Sequence, residues 1–87
     1  MNPDLREQLA ALCHEQWSGW MRHLFSQSSP EANGTLVIPE WAVKRWFKQM
    51  TTPYHALSHE EQESDRSEAD RFITIFNRDR VERTGRI

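Results

Sequence analysis

The sequence predicts an all-α fold, a small three-helix domain with a short extended segment between helices one and two. Two observations lead to this prediction. Apolar residues recur at spacings of three and four in three separate stretches, and polar segments rich in Ser, Pro, Asn and Thr separate them. The 87 residues fit one domain, residues 1–87. A domain of this size buries only about 60–65% of its unfolded surface.

The composition provides few hydrophobic residues for a buried core. Hydrophobic residues make up 37% of the chain and charged residues 28%, although four Trp and four Phe partly offset the shortage. We therefore expect a second copy of the chain, or a bound ligand, to complete the fold, with a homodimer as the expected state. The net charge of −2 argues against a general nucleic-acid binder. Without a long apolar run or a signal-like N-terminus, a cytoplasmic location is expected and a membrane is not.

The first helix is predicted over residues 3–26. Asn2 is a typical N-cap, and Pro3 is favoured at a first helical position. We expect one face of this helix to supply core residues, with Cys13 as a small buried member because free cysteine is usually buried. That apolar stripe consists of Leu5, Leu9, Leu12, Cys13, Trp17, Trp20, Met21, Leu24 and Phe25.

A loop over 26–34 and an extended segment over 35–38 lead into the second helix. Pro39 opens this helix, and Pro53 ends it because the residue before a proline disfavours the α region. Its predicted core face consists of Ala42, Val43, Trp46, Phe47 and Met50. Trp41 lies on the opposite side beside three cations, Lys44, Arg45 and Lys48. This Trp could stack on a nucleobase while the cations meet phosphate, or it could cover the preceding loop or a dimer contact.

The third helix begins at a capping box formed by Ser58 and Glu61 and runs over about 59–77. The tail 78–87 is expected to continue for a turn or two and then fray. The core-facing stripe of this helix consists of Ala69, Phe72, Ile73 and Phe76, and Gln62, Asp65 and Arg66 precede it on the same side.

Charge on a core-facing stripe must be paired, so we expect Asp65 to be largely buried and hydrogen-bonded. Its donors could come from the 51–57 turn, from His14 or from Arg22. Two interpretations remain open. The group could be a structural clasp between the turn and helix one, or it could be the polar floor of an aromatic pocket. The pocket would be lined by Trp17, Trp20 and Tyr54.

Catalytic and metal-binding patterns are weak. Cys13 and His14 are neighbours on a helix and diverge by about 100°, so they cannot form a nucleophile–base pair. An H-E-x-x-H zinc motif would need a histidine where Ser18 stands. His55 and His59 are four residues apart but fall on either side of the predicted helix start. We expect no enzyme, no metal site and no cofactor.

The segments HEQW (residues 14–17) and PYHALSHEEQESDRSEA (residues 53–69) carry a resemblance to a known family. Together they resemble the RyR domain, the helical repeat named for the ryanodine receptors, which also occurs as small stand-alone bacterial and phage proteins. The matching residues are His14, Glu15, Trp17, Pro53, Tyr54, Leu57, Glu60, Glu61, Glu63, Asp65 and Arg66. The intervening GTLVIPEWAVKRWFKQM departs from the receptor repeats and is more similar to the phage and bacterial variants.

This resemblance implies an α-helical module that binds a nucleotide-derived signal of the cyclic-nucleotide or ADP-ribose type. A phage version would sequester a host immune signal without cleaving it. The candidate ligand-binding residues are His14, Trp17, Trp20, Arg22, Trp41, Arg45, Lys48, Tyr54, Asp65 and Arg66. The alternative is a structural or protein-interaction domain that forms a homodimer and binds no small ligand.

Overall fold

The computed structural model of the chain describes residues 4–84. The elements are α1 (Leu5–Gln27), β1 (Ser29–Pro30), β2 (Leu36–Val37), α2 (Glu40–Thr51), a 3-10 turn (Tyr54–Ala56) and α3 (His59–Thr84). The predicted fold class, a small mostly helical three-helix domain, is confirmed. The extended segment is half of a short antiparallel hairpin, in which Ser29 pairs with Val37 and Pro30 with Leu36.

Local side-chain chemistry sets the helix boundaries. Asp4 caps α1 by accepting a hydrogen bond from the backbone N–H of Glu7 at 2.8 Å. The helix therefore begins at Leu5, two residues after its predicted start, because Asp4 is extended and acts as the cap. The predicted cap at Asn2 and Pro3 lies outside the described residues. The predicted capping box of α3 is confirmed, because the Glu61 N–H donates to Ser58 Oγ at 3.2 Å and the Ser58 N–H donates back to Glu61 Oε1 at 3.3 Å.

Helix α3 runs further than its predicted end near residue 77. It continues to Thr84, so the predicted extension of a turn or two into the tail is confirmed as far as the described residues reach. The physical reason is composition, since residues 78–84 contain no Gly or Pro and four of them are Arg or Glu, which are good helix formers.

The tightest helix packing is between α1 and α3, which run antiparallel. Gln16 of α1 meets Glu68 of α3, whereas Gln8, two turns earlier in α1, lies in one groove with Arg78, nearly three turns later in α3. Advancing along one helix therefore means retreating along the other. Helix α2 has few contacts with either of these helices.

A polar clamp ties α1 to α3. The Gln16 side chain donates to Glu68 at 2.7 Å, and Arg71 donates to Glu15 at 2.6 Å and to Glu68 at 3.2 Å. The Arg71 guanidinium thus joins a carboxylate on each helix. Because the clamp is partly solvated, its stabilisation is expected to be small, about 0.2–1 kcal/mol for each exposed pair.

Apolar burial within the chain is very limited. Among the described residues, only Leu12 and Ala42 are buried hydrophobic side chains. The prediction that three helices enclose an aromatic core is therefore wrong. Residues expected in that core but found exposed are Cys13, Trp17, Trp20, Phe25, Val43, Phe47, Met50, Ala69, Ile73 and Phe76.

The shape of the molecule explains why these residues stay exposed. Its extents are 59 × 35 × 15 Å, and its radius of gyration is 17.8 Å, whereas a compact chain of this length has about 12 Å. The shortest dimension is little more than the diameter of one helix with side chains, about 10–12 Å. A molecule this thin has no interior in which a second layer of aromatic side chains could be covered.

Leu12→Ala should lower the free energy of unfolding by about 2–5 kcal/mol, because Leu12 is only 4% exposed and its removal leaves a cavity between α1 and α3. The matched control is Leu36→Ala in the hairpin, where Leu36 is already 41% exposed. Its cost should stay near 0.5 kcal/mol. Chemical denaturation followed by circular dichroism measures both, and equal costs would contradict this packing.

Arg71→Ala should destabilise the chain more than Lys44→Ala. Arg71 bridges two helices, whereas Lys44 pairs only with Glu40 on its own helix, at 2.8 Å. We expect a loss of about 1 kcal/mol for Arg71→Ala, shrinking at high salt as the ion pairs are screened. Denaturation at low and high ionic strength measures this difference, and a salt-independent loss would argue against an electrostatic clamp.

Candidate functional site

The C-terminal half of α1, helix α2, the Tyr54–Ala56 turn and Asp65 of α3 line an open cavity of about 520 Å³. We call it the apolar lobe because large hydrophobic side chains dominate its lining. Its lining residues are Trp20, Met21, His23, Leu24, Trp46, Gln49, Met50, Thr52, Tyr54, Leu57 and Asp65. A volume of this size lies within the range of about 300–1,000 Å³ that is usual for small-molecule sites.

A second cavity of about 780 Å³ adjoins the first, and we call it the charged lobe. The two lobes share six lining residues, namely Trp20, His23, Trp46, Gln49, Thr52 and Leu57. The two lobes are therefore neighbours along these side chains, and we call them together the cleft. The charged lobe adds Trp41, Arg45 and Lys48 from α2 and Glu60 and Glu61 from the first turn of α3.

Three aromatic rings form a cluster along this cleft. The Trp46 ring centroid lies 5.9 Å from that of His23 and 6.3 Å from that of Trp41, with interplanar angles of 58° and 61°. These tilted arrangements let the positive edge of one ring meet the negative face of the next. The His23–Trp46 contact links α1 to α2, so the same aromatic cluster that lines the cleft also positions its walls.

The charges of the cleft divide between its two sides. Within residues 4–84, neither Arg45 nor Lys48 makes an ion pair, whereas the nearby Lys44 is held by Glu40. On the opposite side, the Glu61 carboxylate accepts hydrogen bonds from the backbone N–H and the hydroxyl of Ser58, so it serves the helix cap. The cationic side of the charged lobe is thus available to an anion.

Gln62 holds the turn against α3. Its side-chain amide donates to the carbonyl oxygen of Tyr54 at 3.1 Å and accepts from Arg66 at 3.2 Å. Arg66 also donates to Glu63 at 3.1 Å. This hydrogen bond is the main reason that the pKa of Arg66 is raised above its usual value, and the nearby Tyr54 adds to the effect.

The predicted burial of Asp65 is wrong. Asp65 is exposed, and within residues 4–84 its carboxylate makes no hydrogen bond or ion pair. The turn presents a carbonyl oxygen to α3, which needs a donor, and the Gln62 amide supplies one whereas an ionised carboxylate cannot. The clasp is therefore made one turn earlier, and Asp65 instead lines the apolar lobe.

The structure brings six of the predicted ligand-binding residues to the cleft. Tyr54 and Asp65 line the apolar lobe, Trp41, Arg45 and Lys48 line the charged lobe, and Trp20 lines both. The other four predicted ligand-binding residues line neither lobe; they are His14, Trp17, Arg22 and Arg66. The α1 residues that line the cleft fall between Trp20 and Gln27, so His14 and Trp17 precede that stretch, while Arg66 donates to Glu63 and Gln62 on its own helix.

His14 and Trp17 form a separate pair on α1. Their ring centroids are 6.2 Å apart with an interplanar angle of 26°, and the ring of His14 also approaches the Ser18 hydroxyl at 3.5 Å. The predicted pocket that combined Trp17 with Trp20 and Tyr54 therefore contains only the last two.

Sequence reasoning missed several residues that line the cleft. Trp46 and Met50 are predicted as core residues, because periodicity identifies an apolar face but not what covers it. His23 is not among the predicted ligand-binding residues, although it lies three residues after Trp20 and so shares its side of α1. Leu57 was identified only as a member of the family pattern.

Other site classes find little support in the described part of the chain. Over residues 4–84, no group of three or more His, Cys, Asp or Glu side chains is arranged to hold a metal ion. No helix in the same range has the length and apolar character needed to cross a membrane.

Comparison with known proteins adds no further assignment: no family model, curated protein or solved structure matches the chain. The resemblance to the RyR domain therefore stays a prediction from the sequence, and the cleft is interpreted from its own residues.

Proposed function

We propose that this chain is a non-enzymatic binding module that holds a nucleotide-derived small molecule in the cleft between α1, α2 and the Tyr54–Ala56 turn. The observation that supports the proposal is that two lobes with different chemistry lie side by side and share six lining residues. An aromatic, mainly apolar lobe lies next to one whose two cations make no ion pair within residues 4–84. A nucleotide combines the same two chemistries, a flat ring and an anionic group.

The apolar lobe is suited to the base. Trp20 and Trp46 line both lobes, and stacking of a base on such a ring contributes about 1–3 kcal/mol. Tyr54 and Asp65 offer a hydroxyl and a carboxylate that could meet the polar edge of the base.

The anionic part would be bound by Arg45 and Lys48. Arg45 is the stronger candidate because its guanidinium can donate to two phosphate oxygens at once. Glu60 and Glu61 lie across the same lobe and would repel a long phosphate chain. The arrangement therefore favours a ligand with one or two phosphates over a triphosphate.

The resemblance to the RyR domain agrees with this proposal and suggests a biological setting. In a phage protein, binding alone would lower the free concentration of a host immune signal in the cytoplasm, so no bond cleavage is required. A second candidate role, association of two copies of the chain, is favoured by a different observation, the large exposed apolar surface.

A thermal-shift panel of nucleotides, cyclic dinucleotides and ADP-ribose isomers should give one clear hit. A ligand at about 100 times its Kd adds about 2.7 kcal/mol of stability, which for a domain of this size raises Tm by about 10 °C or more. The ligand should be recovered intact after the protein is denatured by heat. A cleaved ligand would refute the non-enzymatic role, and a folded protein with no hit would refute the binding module.

Arg45→Gln should weaken binding of that hit by about tenfold or more, since a hydrogen bond to a charged group contributes about 1.5–3 kcal/mol. Lys44→Gln is the matched control, because Lys44 neighbours Arg45 on α2 but lines neither lobe and pairs with Glu40. Its Kd should change by less than about twofold. Isothermal titration calorimetry measures both values, and equal losses for the two variants would show that the anion binds elsewhere.

A further inference from the structure

The chain exposes far more surface than a folded monomer of its mass. Its accessible surface is 7286 Å² at 10.4 kDa, whereas a monomer of that mass exposes about 5,400 Å². The excess is about 1,900 Å² per chain. Large hydrophobic side chains contribute to this excess, since Trp17, Phe47 and Met50 are each at least 60% exposed, and exposed apolar patches often mark interaction sites.

One part of the excess is a stripe on α2. Val43, Phe47 and Met50 are 49%, 62% and 73% exposed, and they follow one another at spacings of four and three residues. Such spacing places them on one side of the helix. We call this set the outer stripe. The side of α2 next to this stripe turns inward, since it carries the buried Ala42 and the half-buried Trp46, which lies three residues after Val43.

The other part is a face of the α1–α3 pair. Trp17 lies five residues after Leu12, the buried contact residue of α1, and Ile73 lies five residues after Glu68, a contact residue of α3. Five residues rotate the side chain by about 140° on a helix. Seen from one end of the pair, the two antiparallel helices turn in opposite senses. A rotation of 140° away from the contact therefore moves the side chain of each helix to the same side of the pair.

Trp17 and Ile73 therefore share one surface, and Phe76 joins them because it lies three residues after Ile73. These three side chains are 60%, 53% and 49% exposed. We call this surface, with Cys13 at its margin, the layer face.

We propose that two copies of the chain associate by reciprocal docking, in which the outer stripe of each copy packs on the layer face of the other. The surface that two copies expose beyond that of compact monomers is about 3,800 Å² in total, and obligate homodimers bury about 2,000–5,000 Å². A second copy is the fitting occupant because one symmetric contact covers both surfaces at once. A different partner seated on either surface would leave the other exposed.

This inference does not rest on the proposed ligand, but it affects the ligand site. Met50 belongs to the outer stripe and also lines the apolar lobe. The layer face of the partner would therefore lie beside that lobe and complete a wall that a single chain leaves open.

Analytical ultracentrifugation at micromolar concentration should give the wild-type chain twice its mass of 10.4 kDa. Val43→Glu and Val37→Glu form a matched pair, because both valines are 49% exposed and only Val43 belongs to the outer stripe. Val43→Glu should halve the mass or abolish folding, and Val37→Glu should change neither. A monomeric wild type, or a Val43→Glu dimer as stable as the wild type, would overturn the proposal.

Mixing two variants tests the reciprocal geometry. Phe47→Glu disables the outer stripe, and Ile73→Glu disables the layer face, so each variant alone should lose the dimer. An equimolar mixture should recover dimers, because one stripe-to-face contact then joins two unmodified surfaces. If either variant unfolds alone, recovery is measured as regained helical circular dichroism. No recovery in the mixture would exclude the stripe-to-face arrangement.

Cys13, the single cysteine, reports on the same surface without any substitution in it. Its thiol is exposed in the isolated chain, and docking at the layer face should slow its reaction with a thiol reagent. The rate should rise when the wild-type protein is diluted until it dissociates, and Phe47→Glu should react at the fast rate at every concentration. A wild-type rate equal to that of Phe47→Glu throughout would contradict docking at this face.

Discussion

The antiparallel contact between α1 and α3 is the constraint on which the rest of the structure depends. It is the most extensive helix packing in the described chain, yet its interior holds one buried leucine, Leu12, beside a clamp of polar side chains. Such a contact orients the two helices but buries little apolar surface. The pair therefore forms a flat layer, and its stability depends on what covers the exposed side.

The cleft exists because α2 crosses only one end of that layer. The His23–Trp46 contact fixes α2 to α1, and the hydrogen bond from Gln62 to Tyr54 fixes the following turn to α3. A concave surface with aromatic walls is left between these two attachments. The features that keep the chain from closing into a compact bundle are thus the same ones that create this cleft.

The sequence predicts interactions between residues close in the chain, but it does not predict which apolar faces are covered by other helices. The Ser58–Glu61 capping box depends on residues three apart and was predicted correctly. The burial of Cys13 was predicted wrongly, because an apolar stripe does not reveal whether anything packs on it. The predicted burial of Asp65 is wrong for a similar reason. Whether Gln62 or Asp65 binds the turn depends on which backbone group the turn presents to α3. In the candidate site, residue type alone predicts Trp20, Tyr54 and the α2 cations as ligand-binding residues. Their neighbour Trp46 is predicted as a core residue instead.

The central claim is that the apolar surface of this flat chain is completed by a second copy, and the concentration dependence of thermal unfolding tests it most directly. For a dimer whose chains unfold as they separate, a hundredfold rise in chain concentration adds about 2.7 kcal/mol to the stability of the folded state. The account predicts that Tm rises steadily over that range in the absence of ligand. A Tm that stays constant from low to high micromolar concentration would show that the chain folds alone, and it would contradict the account.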